Sequence, residues 1–181
     1  HSVVGNFPVI VMLRDFGTQA QKDKFIHGQL LRVDGGLRRT GMWGGDIRNC
    51  NAGRAGAAQP GEGASVEVRN LGRVRLEDAP LIVLRTPRDV DVSAEGAVFG
   101  AVGRGARSVE LDSGGCGSWT VANVDGALEL SVGGSGSIRA GASRSLEANV
   151  GGSGSVAAGA TGNLKTSVGG AGRVDVAAVS G

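Results

Sequence analysis

Twelve glycines and two cysteines are the residues whose spacing in this 181-residue chain could do chemistry. Gly114, Gly115 and Gly117 form a first set, followed by Gly133, Gly134 and Gly136, then Gly151, Gly152 and Gly154, then Gly169, Gly170 and Gly172. The sets start 19, 18 and 18 residues apart. Glycines so arranged could hold calcium, cradle a phosphate, or turn a corner in a coil. The calcium repeat G-G-x-G-x-D-x-U-x fits only in part, because its ligand Asp is replaced by Trp119, Ile138, Val156 and Val174, and a hard cation needs oxygen there. Gly152, Gly154 and Ala157 match a dinucleotide fingerprint, but no helix pattern follows to present an N-terminus to a pyrophosphate. Corners remain.

Other reactive groups are few. His1 and His27 are the two histidines, and both precede the repeats, so no Ser-His or Cys-His nucleophile can form within the repeats themselves. No ordinary zinc ligand set is available there either. Asp89, Asp91, Glu95, Glu110 and Asp112 lie near one another in sequence; they would suit a carboxylate pair for glycoside cleavage or a solvated outer strand face. Cys50 and Cys116 stand 66 residues apart and are a candidate disulfide, which would imply an oxidising compartment. The alternative is two buried thiols. No catalytic, cofactor-binding or metal-binding residue is assigned.

The elements around the glycines are strands. Leu128, Leu130 and Val132 alternate with Glu129 and Ser131, the period of a half-buried strand. Leu128, Leu146 and Leu164 recur in step with Val132, Val150 and Val168. A period near eighteen in alternating strands signals a solenoid, with glycine admitting the bend, often at positive φ. With 34 glycines, no tyrosine and two tryptophans, the interior must be Val, Leu, Ile and Ala. Residues from Val74 onward would make about six turns, with roughly two irregular ones over residues 30–73. The Asn51–Ala64 stretch "NAGRAGAAQPGEGA" reads as a loop.

The first 29 residues differ. "FGTQAQKDKFIHG" from Phe16 to Gly28 has helix grammar, with Thr18 and Gln21 as a capping box. The expected organisation is a helical leader over residues 1–29, outside the repeat, and a β-solenoid domain over residues 30–181. "VVGNFPVIVML", Val3 to Leu13, has the length of a signal-peptide apolar region but lacks a preceding basic segment and a following cleavage site. No stretch reaches the length of a membrane-spanning helix. A net charge of +2, with scattered arginines and three lysines, excludes the basic stripe of a nucleic-acid binder.

Two family resemblances follow from these residues. "VGNFPVIVMLRDFGTQAQKDKF" resembles a run in the helical domain of acyl-CoA dehydrogenases; it covers about residues 3–28 and carries over no active-site residue. From Leu30 to Gly181, and most specifically in the recurring "VGGSGS" with a following apolar residue, the chain resembles the head GIN domain of auto-transporter adhesins, a bacterial family of unknown biochemical function. That resemblance implies a right-handed parallel β-helix and an exported, periplasmic or cell-surface protein. The family pattern often has Asp after G-S-G, where this chain has Ser118, Ser137, Ser155 and Arg173. The expectation is a non-catalytic, structural or adhesive solenoid without cofactor, whose partner is a cell-surface glycan or protein, with self-association through the solenoid ends. The alternatives are a polysaccharide-active β-helix enzyme and an acyl-CoA dehydrogenase fragment.

Overall fold

A computed structural model describes residues 2–4, 9–14, 47–51, 61–68, 72–76 and 81–181. From Leu81 onward the chain winds as a parallel β-solenoid of about five turns, with coils about 18 residues apart. Each coil contributes one strand to each of two columns. The first column stacks β7 (Asp89–Ala94), β9 (Ser108–Ser113), β11 (Ala127–Val132), β13 (Ser143–Val150) and the second half of β14 (Ser155–Val168). The second stacks β8 (Val98–Val102), β10 (Ser118–Val121), β12 (Ser137–Ala140), the first half of β14, and β15 (Arg173–Val179). Every pairing in both columns is parallel.

Alternation explains the interior. Leu128, Leu130 and Val132 are buried while Ala127 before them and Glu129 between them are exposed. The register then places Val109, Leu128, Leu146 and Leu164 in one ladder, and Trp119, Ile138, Val156 and Val174 in another. The register offset is 19 between Val109 and Leu128 and 18 between Leu128 and Leu146. The missing residue comes from the second corner, which runs over 122–126 in one coil and 141–144 in the next, before residues 127 and 145 align. Trp119 fits the narrow interior because Gly100 lies beside it in the neighbouring coil, where a Cβ would strike the indole ring. Its buried Nε1 finds no acceptor among the described residues.

The four glycine sets are the first corners, joining the two columns. Their chemistry differs from the expected one. Of the twelve glycines only Gly170 has positive φ, at 103°. Most second and third glycines of the sets are needed instead for close approach. A Cβ on Gly115 would strike the Gly96 carbonyl, one on Gly117 the Val98 carbonyl, and one on Gly134 the Gly115 carbonyl. Backbone hydrogen bonds hold the corners at that distance: Ser135 N donates to Gly115 O at 3.1 Å, and Gly154 N to Gly134 O at 2.9 Å. The first glycine of each set is not so confined, since the nearest atom to a Cβ on Gly133 is 3.6 Å away.

The N-terminal region differs from expectation as well. β1 (Ser2–Val4) pairs with β7, and β2 (Val9–Arg14) lies between β8 and β6 (Leu81–Arg85), all parallel. These segments of the leader thus belong to the solenoid sheet, because apolar β-branched runs satisfy the edges of the first coil. The helix expected over residues 16–28 lies outside the described residues. Residues expected to form irregular coils instead form a separate antiparallel sheet: β3 (Ile47–Asn51), β4 (Ser65–Val68) and β5 (Gly72–Arg75). Val74, the expected start of the coils, is on β5. Ala64, Val66 and Leu76 pack with Ala97 and Phe99 in a second core. Phe99 occupies the register position of outward-facing Ser118, so this second core sits on the outside of the solenoid.

Neighbouring glycines should therefore respond oppositely to a methyl group. Gly134→Ala is expected to lower the unfolding free energy by about 1–3 kcal/mol, through overpacking against backbone that cannot yield. Gly133→Ala should stay within about 0.5 kcal/mol. Urea unfolding of the two variants checks this, and equal losses would mean that the corner glycines serve conformation rather than contact.

Candidate functional site

The outward residues of the first column form rows, because the register that stacks the core also stacks the surface. One row is Asp91, Glu110, Glu129, Glu147 and Lys165, each directly paired with the next. Neighbouring coils are about 4.8 Å apart, so four carboxylates run up the face as a ladder and a lysine follows them. A second row is Asp89, Ser108, Ala127, Ser145 and Asn163, and a third is Ser93, Asp112, Ser131, Asn149 and Ser167. The face between Asp89 and Ser167 is flat and polar, without an aromatic side chain.

Ala127 has the shortest side chain of its row and leaves two shallow depressions that meet beside it. One, of about 290 Å³, is bordered by Asp89, Asp91, Glu110 and Glu129. The other, of about 240 Å³, is bordered by Glu129, Glu147, Asn163 and Lys165. Carboxylates at both can accept hydrogen bonds from hydroxyls or ammonium groups.

Basic side chains bracket the ladder. Arg107 forks onto Asp89, its Nε donating to Oδ1 at 2.8 Å and its Nη2 to Oδ2, while Ser108 Oγ donates to Oδ1 at 2.8 Å. These bonds, the guanidinium's first, lower the Asp89 carboxyl to about 2 and raise Arg107. At the other end Lys165 Nζ donates to Glu147 Oε1 at 2.7 Å, lowering Glu147 and raising Lys165. Arg88 bonds Asp125 Oδ2 at 2.6 Å and the Gly105 carbonyl at 2.8 Å. All these pairs are on the surface.

Of the five acidic residues singled out in the sequence, the fold sets Asp91 beside Glu110 and Asp89 one row away. Asp112 falls in the third row, and Glu95 lies at the corner beside Gly114. Glu129 and Glu147 complete the ladder; in sequence their signal is the 19- and 18-residue steps from Glu110. His1 and His27 lie outside the described residues. Trp119, Ile138 and Val156, where a calcium repeat would carry Asp, are interior residues at most 1% exposed. Among the described residues no group of three or more His, Cys, Asp or Glu side chains converges as a metal-ligand set. Cys50 on β3 and Cys116 at a corner are brought into contact as thiols, with Cys50 Sγ donating to the Cys116 carbonyl at 3.0 Å.

No family model matches the chain, and no curated protein or solved structure does either. No helix among the described residues is long and apolar enough to cross a membrane.

The Asp89 pairing has a definite pH signature. A carboxyl held at about 2 in the folded chain, against 3.8 ordinarily, contributes stability above about pH 4 that is lost as pH falls through 2. Following the carboxyl carbon of Asp89 by NMR should give a midpoint near 2, and Arg107→Ala should return it toward the ordinary value. An unchanged midpoint in that variant would show that the fork does not form in solution.

Proposed function

We propose that the chain is a non-catalytic, exported β-solenoid that serves as a structural or adhesive module at a bacterial cell surface or in the periplasm. The observation that carries this reading is the flat first-column face, on which rigid backbone registration repeats the same polar groups at one spacing. Such a face suits an extended, repetitive partner, a cell-surface glycan or protein, better than a compact small molecule. Carboxylates of the ladder accept the partner's hydroxyl or ammonium hydrogens. The resemblance of the repeats to the head GIN domain supports the exported location and the adhesive role.

Self-association through the solenoid ends is part of the same proposal. Leu164, Val168 and Val179, at 39%, 48% and 53% exposure, are the exposed large hydrophobic residues among the described ones. All three belong to the last coil, whose strand edges offer backbone groups to another chain.

A second reading, a polysaccharide-active β-helix enzyme, draws on Asp91 and Glu110, which share one depression. A carboxylate pair at adjacent coils has a separation near that of retaining glycosidases.

One experiment separates the two. The chain is screened against immobilised glycans and cell-surface proteins alongside the double variant Glu110→Gln/Glu129→Gln, and the same glycans are assayed for released reducing ends. The expected result is binding by the natural chain, weakened at least about tenfold in the variant, without cleavage. Cleavage that disappears in the variant would replace the adhesive reading with the enzymatic one. Equal binding by both proteins would remove the ladder from the contact surface.

A further inference from the structure

The third position of each glycine corner is occupied by Cys116, Ser135, Ser153 and Ala171 in turn. Three of these are exposed, whereas Cys116 is half-buried. The difference is the antiparallel sheet β3–β5, whose second core includes Cys50, Val74 and Cys116 at its margin. Cys50 thus reaches, from a sheet of its own, the one corner in which the third position carries sulfur. The contact joins residues 66 apart in sequence, and Cys50 Sγ lies 3.0 Å from the Cys116 carbonyl oxygen.

We propose that Cys50 and Cys116 form a disulfide that latches the antiparallel sheet onto the solenoid, by exchange with a small-molecule disulfide. One of the two, as thiolate, attacks one sulfur of the oxidant, whose S–S bond breaks; a mixed disulfide forms and one small thiolate leaves. The other then gives its proton to solvent and attacks the protein sulfur of the mixed disulfide, closing the intramolecular bond and expelling the second small thiolate. Two protein thiols are oxidised and one oxidant disulfide is reduced by the same two electrons.

The latch has a structural use. A small sheet needs a hydrophobic face packed against another element to be stable, and this one is fixed to the solenoid through Phe99, Ala97, Leu76 and Val66. A covalent bond across the same seam restricts the unfolded chain over a long loop. The inference is independent of the adhesive reading, which would survive its failure.

The test uses the full chain equilibrated with oxidised glutathione, trapped with N-ethylmaleimide, digested and mapped without reductant. The expected product links the Cys50 and Cys116 peptides within one chain. Cys50→Ser and Cys116→Ser should each stop at a mixed disulfide on the remaining cysteine. On the natural chain, oxidation should slow hydrogen exchange of β4 and β5 amides by about a hundredfold. Both cysteines remaining alkylatable, or linkage only between chains, would overturn the latch.

Discussion

Contact between the backbones of successive corners is the constraint on which the molecule depends. Where coils stack at strand spacing and the chain must also turn, a carbonyl oxygen of one coil occupies the space that a Cβ of the next would need. Gly115, Gly117, Gly134 and Gly152 each meet such an oxygen. Glycine is entropically costly to order, and the loss is offset by corner amides that find acceptors one coil below, among them those of Cys116, Ser135, Gly136 and Gly154. The corner positions that lack this contact, such as Gly133 and Gly169, carry no comparable steric demand. What reads in sequence as one motif is two kinds of glycine with different reasons to be there.

A narrow interior follows from the tight corners. With so little width, the two columns meet through aliphatic ladders, and Leu128, Leu130, Leu146 and Val156 are essentially closed to solvent. Among the described residues one aromatic, Trp119, enters, and only because its neighbour in the preceding coil is Gly100. Phe99, one residue away and of opposite parity, must point outward, and the antiparallel sheet covers it. The small sheet is thus a consequence of a large side chain on the wrong face of a strand.

Much of this was legible because a solenoid writes its geometry as a period. The recurrence of Leu128, Leu146 and Leu164 gives both the parallel register and the coil length, and alternation assigns inside and outside. The less legible parts are those where local pattern is silent about partners. Val9–Arg14 is an apolar run that could end a signal segment or fill a sheet edge, and only the position of β6 and β8 decides between them. Val74 alternates as the coils do, yet pairs antiparallel with Val66, since alternation carries no information on strand direction. At the candidate site, the proximity of Asp91 to Glu110 was readable in part, while Glu129 and Glu147 emerge when the core's period is applied to outward residues too.

Registration also explains why the surface and the ends of the solenoid have different character. A ladder that buries Leu128 and Leu146 at 1% and 2% leaves Leu164 at 39%, and Val132 and Val150 at 1% and 2% give way to Val168 at 48%. Residue type and position in the coil are unchanged over these three successive coils, so the burial of an interior residue is set by the coil stacked upon it. The other end is treated differently, with β1, β2 and β6 extending both columns. Charge follows the same order: the acidic row rises from Asp91 to Glu147, and at the last coil the row turns to Lys165, which neutralises Glu147 and places a cation on the edge strand.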